Sequence, residues 1–321
     1  MDFWLNFRLK VRDFFEKNRL IIIIAIIIIA IIFTISFALK NEAAIKKAKE
    51  DKINSFQSPV IDTNEKLPEG YDDKINEIIS NYFDYCNSKK YEDAYELLSK
   101  DFKNEYFKDI SKFKAYIDKV FSNKRMYTTQ NYSNINDIYV YNVRIMDDIL
   151  ATGTTTNYQY LEDKFVIKDE DGKLKLALNG YCSTEKLNII AEDDFMKINI
   201  ISKKVFYDRE TYKVEFINKT DNYIVLANGE ENQEIILEIE GRASAADTKD
   251  SNIFISPNEK KVESFTFEKY IDDNKEATQF ILNAIRVLPK YTENLSNIDA
   301  EMKNAIKLYS RKVSLKSLDE N

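Results

Sequence analysis

Two cysteines, several adjacent acidic pairs and a complete lack of histidine limit what this 321-residue chain can do with its side chains. Without histidine there is no Ser–His or Cys–His nucleophile, no imidazole base and no His-ligated metal. Neither Cys86 nor Cys182 has an activating base beside it in the sequence. Pairs such as Asp147–Asp148, Asp193–Asp194 and Asp272–Asp273 suggest acid–base chemistry. Neighbouring residues on a strand point to opposite faces, however, and these pairs sit near turns, so they read as solvated surface. Hydrolysis of a glycan by carboxylates alone would need two of them about 5–10 Å apart in one cleft. The six glycines, at 70, 153, 172, 180, 229 and 241, match neither a dinucleotide fingerprint nor a P-loop. "DEDGK" at 169–173 lacks the ligand spacing and closing Glu of a calcium loop and reads as a hairpin turn. The expectation is no catalytic residue, no cofactor and no metal.

The elements that hold these groups follow from periodicity. Ile75, Ile78, Ile79, Tyr82, Phe83 and Cys86 recur at helical steps, which predicts a helix with Cys86 on its apolar face. A second helix is predicted through "SKKYEDAYELLSKDF" and a third through Phe113, Tyr116, Ile117, Val120 and Phe121. The period then falls to two: "INDIYVYNVRIM", "ATGTTTNYQYLEDKFVIK" and the Leu174, Leu176, Leu178 face read as strands. Cys182 continues that last parity, so both thiols aim at one core. They could form a disulfide, as an exported domain permits; the other reading is two buried free thiols acting as small hydrophobes. From Met196 short alternating segments predict an all-β module. Its tail, "IDAEMKNAIKLYSRKVSL", fits a helix or a strand. "GRASAADTKDSN" at 241–252 reads as a mobile polar loop, and Asn131 and Asn218 begin glycosylation sequons.

Leu20 to Leu39 is a run without charge that contains eleven isoleucines. A helix of that length spans about 30 Å, the hydrocarbon thickness of a bilayer. At roughly −0.3 to −0.6 kcal/mol per isoleucine, insertion is favoured by several kcal/mol. The run exceeds a signal peptide's apolar region, so an uncleaved anchor is expected. Five basic residues precede it and five follow closely, which leaves orientation to the short basic N-terminus: N-terminus in the cytoplasm, C-terminal domains outside. Phe3, Phe7, Phe14 and Phe15 share a helical face with Val11, and Trp4 lies beside it, as in an interfacial helix on the inner leaflet. The alternative is that this helix extends the anchor. The net charge is −7, and with five basic and three acidic groups in 1–39 the remainder carries −9, the wrong sign for nucleic acid.

The expected organisation is 1–19 cytoplasmic interfacial segment, 20–39 transmembrane helix, 40–71 stalk, 72–186 α+β domain and 187–321 all-β domain. "NSKKYEDAYELLSKDFKNEYFKDISKFKAYI", "VRIMDDILATGT" and "FVIKDEDGKLKLALNGY" resemble the nuclear-transport-factor-2-like (cystatin-like) domains of Gram-positive membrane-anchored proteins. That resemblance implies an α+β cone with a cavity under a curved sheet. The pattern Y-x-V-x-F-x-N-x-T, then I-x-P-N-E, then F-x-F resembles bacterial immunoglobulin-like ectodomains and implies a β-sandwich. The fold expected is therefore α+β: one transmembrane helix, a cystatin-like cone and an immunoglobulin-like sandwich. The function expected is a non-enzymatic single-pass envelope protein. Its partners would be the bilayer and other envelope proteins, by analogy with scaffold subunits of secretion or conjugation channels. The alternative is a cavity-based binder of an apolar, lipid or cell-wall ligand.

Overall fold

Helix α1 (Tyr71–Asn87) forms where the sequence repeats apolar residues at three- and four-residue steps, and Ile75, Ile78, Ile79, Tyr82, Phe83 and Cys86 are all buried. Asp72 and Asp73 place negative charge at its N-terminus, where the helix dipole favours it. The second expected helix is two pieces, α2 (Tyr91–Glu96) and α3 (Lys100–Tyr106). They part because Leu98 forms a parallel bridge to Leu176, with Ser99 N–H donating to the Leu176 carbonyl at 2.7 Å. Ser99 then caps α3 by accepting the Phe102 N–H. Helix α4 (Ile110–Val120) starts on Asp109, whose carboxylate accepts the Ser111 N–H at 2.9 Å.

This computed structural model describes residues 67–135, 137–148, 160–227, 234–248, 253–271, 275–290 and 302–315. The expected interfacial segment, transmembrane helix and nearly all of the stalk lie outside the described residues. The described residues fall within one unit, 61–321.

Four strands follow the helices as an antiparallel meander: β1 (Arg125–Ile135), β2 (Ile138–Asp147), β3 (Tyr160–Glu170) and β4 (Lys173–Ala177), in that spatial order. The expected turn between β3 and β4 is present; Asp171 and Gly172 have φ of 55° and 80°, the left-handed pair that a tight hairpin requires. Strand β2 is buried on both faces, because Tyr139, Tyr141, Val143 and Ile145 alternate with Val140, Asn142 and Met146, all nearly inaccessible. One face of this sheet meets the helices: Phe165 packs edge-on against Tyr82 at 5.6 Å. The other receives Tyr207, over which Lys164 Nζ sits at 5.7 Å from the ring centre.

Strands β5 (Tyr181–Glu192), β6 (Met196–Phe206), β7 (Arg209–Asn218) and β12 (Lys260–Glu268) make a second antiparallel sheet in the order β12-β7-β6-β5. A third sheet holds β8 (Asn222–Ala227), β9 (Ile235–Ile239), β10 (Arg242–Ala245), β11 (Ile253–Ile255) and β13 (Ala277–Lys290), with β14 (Lys307–Ser314) paired to β13. The end of the undecided tail is thus the strand β14. The second and third sheets share a core of Ile198, Val214, Phe216 and Phe267 from one and Leu226, Leu237, Phe280 and Val287 from the other.

The β5–β6 hairpin ties the two cores together. Its Tyr181, Cys182 and Phe206 pack in the helix-covered core, while Met196, Ile198 and Ile200 pack in the core shared by the second and third sheets. Residue 186, where the sequence places a domain boundary, lies inside β5.

The expectation of an α+β chain with a cystatin-like cone and an immunoglobulin-like sandwich is corrected by these elements, while the expected transmembrane helix lies outside the described residues. Among the described residues strand outweighs helix, 56% to 20%, so the chain is mostly β. Three of the four helices have eleven residues or fewer, and the first sheet ends at β4 because the next strand leaves to pair with β6. No clear cone results. Among the described residues no helix is long and apolar enough to cross a membrane.

Candidate functional site

Four ionisable groups, Asp163, Lys164, Asp208 and Arg209, meet where the chain passes from the first sheet to the second. Asn179 and Gly180 both have positive φ, 56° and 67°, and they redirect the chain between β4 and β5. Gly180 suits this position because its φ of 67° is a left-handed backbone that side-chain-bearing residues rarely adopt; a Cβ there would meet the Tyr207 side chain only at ordinary contact, 3.6 Å. Its N–H donates to the Lys164 carbonyl at 2.6 Å and its carbonyl accepts from Tyr207 N–H at 2.7 Å, so one residue pins both sheets.

Side chains converge on this crossing. Lys164 Nζ donates to Asp208 at 2.6 Å, and Arg209 contacts the other oxygen of Asp208 at 2.7 Å. Arg209 also donates to the Asn179 side-chain carbonyl at 3.1 Å and covers the Phe206 ring at 4.2 Å. Asp163 accepts the N–H groups of Lys164 and Asn179, each at 2.7 Å, on a single oxygen. Burial raises the Asp163 carboxyl to about 6, against the lowering effect of those two N–H groups. Burial also raises Asp208, but Lys164 and Arg209 outweigh it and hold that carboxyl below its ordinary value. The cluster is a rivet: each charge is used by a neighbour. Sequence reasoning missed it, since residues 163, 179 and 208 meet only through the fold. The one local signal was the Asn179-Gly180 dipeptide, a turn pair placed between two strands.

A second buried charge sits on β7. Glu210 accepts from Tyr212 Oη at 2.8 Å and pairs with Lys269 Nζ at 3.0 Å, with 3% and 12% of the two side chains exposed.

The residues singled out by sequence are found elsewhere and apart. Cys86 and Cys182 are buried in one core and both are free. Burial pushes the Cys86 thiol up to about 12 and the Cys182 thiol up to about 11, so neither is a nucleophile at neutral pH. Asp147 pairs with Arg125, and Asp148 with Lys124 at 3.3 Å. Asp193 closes the β5–β6 turn by accepting the N–H groups of Phe195 and Met196 at 2.8 Å. Asp272–Asp273 and the membrane-interface set Phe3, Trp4, Phe7, Phe14 and Phe15 lie outside the described residues. Among the described residues no three acidic or thiol side chains are grouped for a metal.

Asn218, read as a sequon, is a structural hub. It is 1% exposed, donates to the carbonyls of Asn222, Ile255 and Ser256, and accepts from Thr220. The "GRASAADTKDSN" segment is only partly a loop, since Arg242–Ala245 is β10. Beside it Asp247, Thr248, Glu263 and Thr266 border a shallow cleft of about 340 Å³. A second cleft, about 370 Å³, runs between α1 and the β3–β4 hairpin past Lys74, Glu77, Asn81 and Lys173. The space beneath the first sheet, where an apolar ligand was the alternative expectation, holds stacked rings: Phe83 lies 4.1 Å from Tyr127 and 6.0 Å from Phe165, with Tyr82 and Phe121 edge-on.

No family model, no curated protein and no solved structure matches this chain.

Proposed function

We propose that this chain is a non-enzymatic, membrane-anchored envelope protein that acts outside the cytoplasm by contacting other proteins. One observation carries the reading: an uncharged run from Leu20 to Leu39 is joined to a folded unit whose two cores share a single long hairpin. The first element is a bilayer anchor by length and hydropathy. The second is a body whose two cores are bridged by the β5–β6 ladder, which runs from Tyr181–Phe206 to Glu192–Lys197 with bulges at Tyr181/Ser183 and Lys186/Ile189.

Contact is favoured over conversion by the way the charges are used. At the junction every carboxylate is engaged by a lysine, an arginine or backbone N–H groups. The rival reading, an apolar ligand beneath the first sheet, meets a volume already occupied by aromatic rings. Exposed apolar side chains lie instead on the outside, at Met126, Tyr160, Ile190 and Leu308.

The test is protease added to intact cells, with fractionation of the same cells. Loss of residues 61–321 from a chain found in the membrane fraction is expected. Full protection, or a chain recovered from the cytosol, would overturn the proposal.

A further inference from the structure

We infer that β1 is a docking edge for a second copy of this chain, and that two copies pair antiparallel through their β1 strands about Thr129. The inference deepens the contact reading above by naming the partner, and it rests on the folded edge itself.

Strand β1 is the first strand of its sheet and, among the described residues, pairs only with β2. Which backbone groups face outward follows from two bonds. Asp148 N–H donates to the Lys124 carbonyl, so residue 124 faces β2. The N–H and carbonyl of Arg125 are instead both engaged by the Asn87 side chain on the opposite side. The register with β2 is unbroken from Arg125 to Asn131. The outward groups are therefore those of Arg125, Tyr127, Thr129 and Asn131. Asn87 occupies the first, and the bulge between Asn131 and Ser133 ends the series. What remains is a window at Tyr127, Thr129 and Asn131 whose outward N–H and carbonyl groups meet no described residue.

This edge lacks the usual protection. Exposed edges are commonly blunted with charged side chains, and charged residues make up 31% of this chain. Yet from Met126 to Ile135 there is none. On β1 the one charge is Arg125 at its first residue, as Arg242 is on β10, whereas the other described edge strands longer than three residues carry two or more: Lys173 and Lys175 on β4, Glu185 and Lys186 on β5, Lys260 and Lys261 on β12, Arg311 and Lys312 on β14. The uncharged stretch from Met126 to Ile135, rich in Tyr, Thr, Gln and Asn, offers nothing to select an ionic peptide, and it pairs with itself without like-charge repulsion.

The window is also symmetric. Antiparallel pairing that sets Thr129 against its own copy puts Tyr127 against Asn131 of the partner subunit and the reverse. All outward groups of both copies are then used, in about six hydrogen bonds. The two sheets become one, and the interface has the twofold symmetry expected of a homodimer. A shared membrane would raise the effective concentration of the pair.

The experiment uses the full chain, purified in dodecyl maltoside. Light scattering on the detergent-corrected mass should give twice the chain mass for the wild type. Thr129→Cys should form a covalent dimer on mild oxidation, because the facing Cα atoms lie about 5.5 Å apart, within the ~4.4–6.8 Å that a disulfide spans. Cys86 and Cys182 are buried and do not compete. Lys173→Cys, on the exposed end of the opposite edge, should stay monomeric under the same oxidation. Thr129→Pro removes an outward N–H and should halve the mass with far-UV circular dichroism unchanged. A wild-type monomer at tens of micromolar, a mass that Thr129→Pro leaves doubled, Thr129→Cys linking no better than Lys173→Cys, or its linking to a different protein would each overturn the inference. Should Thr129→Pro misfold, the two cysteine variants decide. A monomer that still fractionates with membranes removes this interface and leaves the anchored-protein reading standing.

Discussion

The side-chain amide of Asn87, the last residue of α1, pairs with the backbone of Arg125, the first residue of β1: it accepts the Arg125 N–H at 2.8 Å and donates to the Arg125 carbonyl at 2.9 Å. One amide thus stands in for a residue of a neighbouring strand. It fixes where β1 begins and ties the helix layer to the sheet edge. Asn87→Ala leaves both backbone groups part-buried without these partners. At about 1–3 kcal/mol for such desolvated groups, the variant should lose that much in urea titration. An unchanged midpoint would show that water replaces the amide at no cost.

Asp163 makes stability depend on pH in an unusual direction for a carboxylate. Its folded value, about 6, lies above the ordinary aspartate value of 3.8. The folded state therefore holds the proton more tightly than the unfolded state. The contribution is fully present below pH 4 and is lost as pH rises through 6. At about 1.4 kcal/mol per unit, the loss is at most ~3 kcal/mol. Asp163→Asn keeps an oxygen to accept both N–H groups and cannot ionise. It should melt higher than wild type at pH 7.5 and match it at pH 3.5. An equal difference at both pH values would refute the assignment.

Lys269 neutralises Glu210 where both are almost sealed from water. Removing one partner of a buried pair strands the other charge and costs about 3–5 kcal/mol. Lys269→Met should be destabilised on that scale, and Lys269→Met with Glu210→Gln should recover much of it. A double variant no better than the single would mean that Glu210 is not the source of the cost.

The two thiols should be silent in the native protein. With burial raising them to about 12 and about 11, maleimide should modify neither at pH 7.5 within an hour. In denaturant without reductant, two equivalents should react per chain, since both cysteines are free. Recovery of no thiol under those conditions would show a disulfide.

Asn218 tests the difference between a sequon and a hub. Its amide serves three carbonyls and a backbone N–H from inside the fold. Asn218→Ala should cost about 2–4 kcal/mol, as expected of a broken buried hydrogen-bond network. The wild-type residue should carry no glycan when the chain is made in a host that glycosylates Asn131.

The sequence by itself determined the local elements with strong period. Helix α1 was legible because six apolar residues mark one face, and the β3–β4 turn because Asp171-Gly172 suits a backbone that few other pairs adopt. The uncharged stretch from Leu20 to Leu39 and the lack of histidine were equally plain, since composition alone carries them. The tertiary structure decided everything that depends on which strand meets which. The sequence could not reveal that β5 abandons the first sheet to pair with β6, because alternation shows a strand but not its neighbour. The break at Leu97–Ser99 came from a bridge to Leu176, some eighty residues further along the chain. Asp163, Asn179 and Asp208 form one cluster only because Gly180 brings their strands within hydrogen-bond reach. Periodicity is a local signal set by backbone geometry; pairing and charge clustering arise from contacts between distant segments, and only the folded chain brings those segments together.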